Sequence, residues 1–137
     1  MKNLLAKLGA SEGDKIEFTP QDTRLASAVL LFRVIMVDGR VRQAELVRYR
    51  EILQDHLNVE PDEMQLFEQA VREQYNSETS LLPHTKIVAQ MPKETKQEIL
   101  KFMQEISVSD NELHEFEINL VTRTAQLLGI KVTNGTF

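Results

Sequence analysis

The fold is decided by the stretch LASAVLLFRVIMV, residues 25–37, in which Arg33 is the single charged residue. Apolar residues recur along it at helical spacing, and further apolar positions cover the remaining sides. The run is too long for one buried strand. A helix that is apolar nearly all round belongs at the centre of its domain. We therefore expect a central helix here, with Phe32 fully buried midway along it.

The rest of the chain also has helical periodicity, and nothing alternates at period two for long enough to predict a sheet. Thr19 and Pro20 suit the N-cap and the first position of the central helix. The predicted fold is all-α, a single-domain bundle of about six to seven helices. Further helices are expected over about 43–57, from Pro61 through 75, over 81–90, from Pro92 through 106 and over 115–128, ending at Gly129.

Length and composition limit the class of protein. A chain of 137 residues suffices for one compact domain, and its formal charge of −5 argues against a nucleic-acid partner. The absence of cysteine excludes disulfides and thiolate metal sites and fits a reducing compartment. No apolar run approaches the ~20 residues that span a bilayer. We expect a cytoplasmic protein.

Domain boundaries follow from the helical region. We assign residues 1–18 to an N-terminal extension or short helix, 19–130 to the helical domain and 131–137 to a C-terminal tail. The apolar part of MKNLLAKLGASEGDK is too short for a signal peptide. A solvated or loosely docked segment is the preferred interpretation, and peripheral membrane association through this N-terminal turn is the alternative.

Two segments of the chain repeat one pattern. They are VDGRVRQAEL, residues 37–46, and SDNELHEFEI, residues 109–118. Aligning Asp38 with Asp110 also aligns Glu45 with Glu117. Each copy reads as an apolar helix, an acidic turn, an apolar residue, a glutamate and a second helix. The pattern predicts one supersecondary unit used twice, related by an internal pseudo-twofold.

Turn chemistry can explain the acids without any ligand. Gly39 permits a positive φ at the helix-to-helix turn, and Asp38 can cap that turn through its side chain. Glu45 lies at the N3 position after Arg42, where a glutamate can bond the N-cap backbone and favour the helix dipole. Glu117 has the same relation to His114. Arg42 and His114 are poor N-cap acceptors, so only half of each capping box is present.

Metal binding is the alternative interpretation of the same acids. Asp38, Glu45, Asp110 and Glu117 are hard oxygen donors suited to calcium or magnesium, and they converge if the repeats pack about a twofold. The spacing does not match an EF-hand, and Arg42, the counterpart of His114, cannot ligate a metal. Capping needs no extra assumption and is preferred, which leaves a divalent cation as the one candidate cofactor. We expect His56 at a helix end and His84 on the surface.

The segments MVDGRVRQAEL and SVSDNELHEFEINLVTRTAQLLGI resemble the two signature segments of the tellurite-resistance TerB-like family, in particular its small stand-alone bacterial members. The resemblance covers about residues 20–130. It implies an all-helical bundle of about seven helices with internal pseudo-twofold symmetry. It also implies an association with tellurite and other chemical stress, with metal binding or partner binding near membranes as proposed roles. Asn111 stands where the family usually has glycine, and Arg42 and His114 stand where small capping residues are common.

The sequence contains no HExxH, no phosphate-binding glycine loop and no GxSxG, so no catalytic residues are assigned. We predict a non-enzymatic TerB-like binding or adaptor module that acts on a protein partner in a stress response. The alternative is a divalent-cation binding or sensing protein that uses the duplicated Asp/Glu turn. The sequence does not specify an oligomeric state.

Overall fold

The computed structural model describes Leu4, Lys7 and residues 17–110 and 114–131, and every regular element in these residues is an α-helix. The predicted all-α bundle is confirmed. The remaining positions of the predicted N-terminal extension and C-terminal tail lie outside the described residues. The helices are α1 (Pro20–Met36), α2 (Gln43–Asp55), α3 (Met64–Ser77), α4 (Leu82–Val88), α5 (Lys93–Ser107) and α6 (Glu115–Leu127).

A complete capping box begins α1. The Asp22 N–H donates to Thr19 Oγ1 at 3.1 Å, and the Thr19 N–H donates to Asp22 Oδ2 at 2.9 Å. Pro20 follows at the first helical position, where a missing N–H costs no hydrogen bond. The predicted helix start is confirmed in each of these details.

The helix α1 lies at the centre of the bundle and packs against each of the helices α2 to α6. Its apolar side chains are buried on all sides, as predicted for a helix without a polar face. Phe32 is 7% exposed. Its ring centroid lies 5.9 Å from that of Tyr49 and 5.4 Å from that of Tyr75. These aromatic contacts join α1 to α2 and α3.

Two residues of the N-terminal segment are docked onto the bundle. Leu4 is fully buried within the core. Lys7 forms an ion pair with Asp22, and its ammonium lies 5.8 Å from the centroid of the Phe18 ring. At these positions the segment is docked onto the bundle rather than solvated, because burial of Leu4 removes apolar surface from water.

The third helix begins at Met64 and not at Pro61 as predicted. Residues 60–63 form a separate turn. The Glu63 N–H donates to Glu60 O at 3.0 Å, and the Glu60 N–H donates to Glu63 Oε1 at 2.9 Å. Arg24 of α1 pairs with the Glu63 carboxylate at 3.2 Å. This ion pair stabilises the turn. It could not be predicted from the sequence near Pro61, because Arg24 is distant in the chain.

The predicted helix ends are confirmed at two positions. Asn58, after α2, has a φ of 57°, and Gly129, after α6, has a φ of 71°. Both are in the left-handed region that asparagine and glycine tolerate best. The chain then turns back, with the Val59 N–H donating to Leu53 O at 3.0 Å and the Ile130 N–H donating to Ala125 O at 2.9 Å.

His84 is fully buried, so the expectation of a surface histidine is wrong. Its Nε2 lies 2.9 Å from Gln74 Oε1 of α3. Arg33 also joins α1 to the chain around α4, since it donates to Glu78 O at 2.6 Å and to Ser80 O at 3.0 Å. Burial, together with the positive charge of Arg33, lowers the pKa of His84 from 6.5 to about 4. The imidazole is therefore neutral in the folded protein at physiological pH.

Truncation of Phe32 tests the central position of α1. Phe32→Ala should lower the free energy of unfolding by about 3–5 kcal/mol, because it removes buried aromatic surface and leaves a cavity between α1, α2 and α3. Chemical denaturation measures the change. Phe116→Ala is the matched control, since Phe116 is 63% exposed and the same truncation should cost little there. A loss below ~1 kcal/mol for Phe32→Ala would contradict the central placement of α1.

The buried His84 predicts a loss of stability in acid. The unfolded histidine takes up a proton near pH 6.5, whereas the folded one does so near pH 4. Stability should therefore fall as the pH drops from about 6.5 to about 4, by about 3 kcal/mol from this group alone. Comparing wild type with His84→Gln across this range by urea denaturation isolates the contribution. A stability difference between the two proteins that stays constant between about pH 6.5 and about pH 4 would contradict the assignment.

Candidate functional site

Two turns bring the predicted acids to one end of the bundle. One turn leads from α1 into α2, and the other leads from α5 into α6. The helices that follow the two turns, α2 and α6, begin with the same backbone conformation. The N-cap of α2, Arg42, has φ −102° and ψ 135°, and the N-cap of α6, His114, has φ −102° and ψ 139°. This local correspondence is what the predicted repeat requires at these positions.

The guanidinium of Arg42 lies among the four predicted acids. Its Nη1 is 2.7 Å from Asp38 Oδ2, and its Nε is 3.1 Å from Asp110 Oδ2. Nη1 is also 3.4 Å from Glu45 Oε1 and 3.7 Å from Glu117 Oε1. We name this group, together with His114, whose Nε2 is 3.4 Å from Asp110 Oδ2, the acidic centre.

The acidic centre has a buried floor and a partly open mouth. The side chains of Glu45 and Glu117 are inaccessible to solvent, whereas those of Asp38 and Asp110 are 10% and 15% exposed. Arg42 is 19% exposed. A group arriving from solvent therefore meets the two aspartates and the guanidinium before it reaches the glutamates.

Neither glutamate accepts the backbone hydrogen bond that the capping interpretation requires. Oε1 of Glu45 accepts from Arg42 Nη1 at 3.4 Å, and its Oε2 has no hydrogen-bond partner. No nitrogen donor bonds either carboxyl oxygen of Glu117, and its partner is the neighbouring buried carboxyl of Glu45. Two buried carboxyls form a hydrogen bond only while one of them holds a proton. The acidic centre therefore leaves Glu117 without a cationic hydrogen-bond donor.

The first turn has the geometry that the sequence predicted. Gly39 has a φ of 77°, and the Arg40 N–H donates to Asp38 Oδ1 at 3.0 Å. Partial burial opposes ionisation of Asp38, but this hydrogen bond and the guanidinium of Arg42 outweigh it and lower the pKa of the carboxyl. Asp38 is therefore ionised at physiological pH, and its charge holds Arg42 in place.

The two buried glutamates are less readily ionised. Burial, with the charge of neighbouring Glu45, raises the pKa of Glu117 to about 8. Burial also raises the pKa of Glu45. When two carboxyl groups lie side by side in a buried site, ionising both costs free energy. The pair therefore retains one shared proton to a higher pH than a free carboxyl group does.

As they stand, the donor atoms do not form a metal site. Within residues 17–110 and 114–131, no three histidine, aspartate or glutamate side chains are placed to hold a metal ion. The guanidinium of Arg42 lies where the four carboxylates converge. Metal ligation by Asp38, Glu45, Asp110 and Glu117 stays a prediction.

A second feature is a cavity of about 420 Å³ bounded by the start of α1, the end of α2 and the start of α5. Phe102 and Ile99 line it with His56, whose ring centroid lies 4.7 Å from that of Phe102. His56 Nδ1 is 3.9 Å from Glu98 Oε1. His56 is the C-cap residue of α2 and is exposed, as the sequence analysis expected.

Comparison with known proteins places this geometry in a family. The family model described as "Tellurite resistance protein TerB" matches residues 24–134, which include both turns. The chain belongs to the TerB family. No curated protein sequence matches this TerB-family chain. Among the helices of the described residues, none is long and apolar enough to cross a membrane.

A solved structure shares the fold of this TerB-family chain. It is the crystal structure of a protein of unknown function from Porphyromonas gingivalis W83, with a TM-score of 0.64 and 22% sequence identity. The match covers 87% of this chain and 90% of that one. At this identity the likeness supports the fold alone.

The sequence analysis missed the position of Arg42. It treated this residue only as a poor N-cap that cannot ligate a metal. A signal was nevertheless available, because Arg42 lies four residues after Asp38 and three before Glu45, spacings that suit local ion pairs. The contacts to Asp110 and Glu117 depend on the meeting of the two turns.

The raised pKa of Glu117 predicts that a neutral analogue at this position stabilises the protein. The folded Glu117 keeps its proton up to about pH 8, whereas an unfolded glutamate ionises near 4.5, so this residue opposes folding increasingly as the pH rises between those values. Glu117→Gln should raise the free energy of unfolding at pH 8 by about 1–2 kcal/mol, a value discounted because water at the open mouth screens the charges. The gain should shrink towards pH 4.5. Glu115→Gln, an exposed change on the same helix, is the control, and an equal effect there would contradict the assignment.

Proposed function

We propose that this TerB-family chain is a non-enzymatic binding module that docks a protein partner over the two turns. The observation that carries the proposal is the set of exposed apolar side chains on those turns. Val41, Val108 and Phe116 are 54%, 46% and 63% exposed. Val41 immediately precedes Arg42, and Phe116 immediately precedes Glu117. Large apolar side chains left in water beside a charged centre are typical of interaction surfaces.

The charge of the acidic centre supports a choice of partner. Four carboxyl groups face one guanidinium, which approaches Glu117 only to 3.7 Å. A partner segment with a lysine or arginine between apolar residues would complement both properties of this surface. Its basic group would meet Asp38 and Asp110 at the mouth, while its apolar side chains would cover Val41 and Phe116. Such charge complementarity gives specificity and faster association.

The cavity near His56 does not support an enzyme. His56 Nδ1 and Glu98 Oε1 lie 3.9 Å apart there, and the α1 hydroxyl groups that line the cavity bond to the backbone of α1. Ser27 Oγ donates to Thr23 O at 2.7 Å, and Thr23 Oγ1 donates to Pro20 O at 2.9 Å. Nucleophilic catalysis needs a nucleophile within hydrogen-bond reach of its base, and His56 is engaged with Glu98 and the Phe102 ring.

Divalent-cation binding is the second candidate function. It is favoured by one observation, the burial of the Glu45 and Glu117 carboxyls against each other beside the two aspartates. It requires Arg42 to leave its present position. A role in tellurite or other chemical stress, and peripheral membrane contact through the N-terminal segment, are proposals that the family name and the sequence suggest. The burial of Leu4 counts against the membrane contact.

Titration with short designed peptides tests the docking proposal. Three probes are used: leucines around an arginine, leucines around a glutamate, and serines around an arginine. Only the first should cause saturable backbone amide shifts at both turns, because it alone matches both the apolar surface and the charge. Phe116→Ser should weaken its binding by roughly tenfold or more, the affinity lost with one large apolar contact.

Leu66→Ser provides the matched control, since Leu66 is 66% exposed but lies on α3. It should leave binding of the leucine–arginine peptide unchanged. Equal binding of all three peptides, or equal weakening by Phe116→Ser and Leu66→Ser, would overturn the proposed surface.

A further inference from the structure

We infer that Arg42 is a tethered cation that occupies the acidic centre in place of a divalent metal ion, and that removing its charge uncovers a metal site. The inference goes beyond docking and stands on the geometry of the acidic centre alone. It also explains why four carboxyl groups converge although no metal site is formed among the described residues.

The first argument is position. Two guanidinium nitrogens of one side chain reach acids from both turns, with Nη1 at 2.7 Å from Asp38 Oδ2 and Nε at 3.1 Å from Asp110 Oδ2. A metal ion that joined the two turns would occupy the same region. Carboxylates at this separation repel one another unless a cation lies between them.

The second argument is the incomplete pairing that the arginine leaves. Its Nη1 is 3.7 Å from Glu117 Oε1, too far for a hydrogen bond, so this fully buried carboxyl bonds the carboxyl of Glu45 and no cation. Oε2 of Glu45 likewise accepts no hydrogen bond from a nitrogen donor. Buried carboxyl oxygens directed at a shared cation are the donors that a spherical ion could use from any direction. A planar guanidinium reaches only those that lie along its N–H bonds.

The third argument concerns the class of ion. All four acids offer oxygen, which suits hard divalent ions such as Ca²⁺ and Mn²⁺, and Ca²⁺ tolerates irregular geometry with six to eight ligands. His114 lies beside Asp110 at 3.4 Å and could add a nitrogen donor for Mn²⁺. While Arg42 is present, its fixed positive charge opposes the entry of either ion. The guanidinium also cannot be neutralised at physiological pH.

The experiment compares Arg42→Gln with Arg42→Lys and Arg40→Gln. Glutamine removes the charge and shortens the side chain, and lysine keeps the charge on a stem of similar length. Arg40→Gln removes an equal charge from an exposed position in the same turn. Each chelated protein is titrated with Ca²⁺ and separately with Mn²⁺, and the thermal unfolding midpoint is measured by calorimetry. Amide shifts in the presence of Ca²⁺ locate the site.

We expect Arg42→Gln to unfold at a lower temperature in chelator and to regain the wild-type midpoint at millimolar Ca²⁺ or Mn²⁺, because an ion that binds only the folded state stabilises it. Its Ca²⁺ affinity should exceed that of wild type by at least about tenfold, since a repelling charge has been removed. Wild type, Arg42→Lys and Arg40→Gln should be unaffected by either ion. The double variant Arg42→Gln/Glu117→Gln should lose most of the rescue.

If Arg42→Gln fails to fold in chelator, recovery of its helical circular dichroism on adding Ca²⁺ or Mn²⁺ supports the inference in the same way. Absence of rescue by both ions overturns it. Equal ion affinity in wild type and Arg42→Gln also overturns it, and that result would favour the cation-binding function instead. The peptide titrations above are independent of these outcomes, because they rest on the exposed side chains Val41 and Phe116.

Discussion

Burial of α1 on every side is the constraint on which the rest of the structure depends. A helix with one charged residue between Leu25 and Val37 has no polar face to offer to water, so other helices have to surround it. All five other described helices contact it. Packing of α5 against α1 in this arrangement brings the turns that follow these two helices together, and the acidic centre forms where they meet.

Two of the buried polar clusters are stabilised in different ways. Around α4, His84 is neutral and bonded to Gln74, while Arg33 donates to backbone carbonyls. In the acidic centre, Glu117 is buried against the carboxyl of Glu45, and Arg42 does not reach it with a hydrogen bond. Burial of two carboxyls side by side costs free energy once both are ionised, so stability alone would favour a neutral residue at position 117.

Local patterns predicted what depends on local physics. Helical periodicity predicted all six described helices, and the left-handed residues Asn58 and Gly129 were recognised from their side chains. The sequence predicted that the four acids converge if the two repeats pack about a twofold, and in the structure all four lie around Arg42. The errors depend on distant contacts. The delayed start of α3 involves Arg24 from α1, and the burial of His84 depends on packing of α4 against α1. The guanidinium between the turns also could not be located until both turns were placed.

An arginine in this position differs from a metal ion in ways that connect the two proposals. It cannot dissociate, so the link between the turns does not vary with the concentration of any ion, and its charge is constant at physiological pH. It carries one positive charge where a divalent ion would carry two, and its N–H groups do not bond Glu117, whose Oε1 lies 3.7 Å from Nη1. The acidic centre therefore keeps an excess of negative charge after its internal cation is bound. That excess, beside exposed Val41 and Phe116, is the property that a basic and apolar partner would recognise.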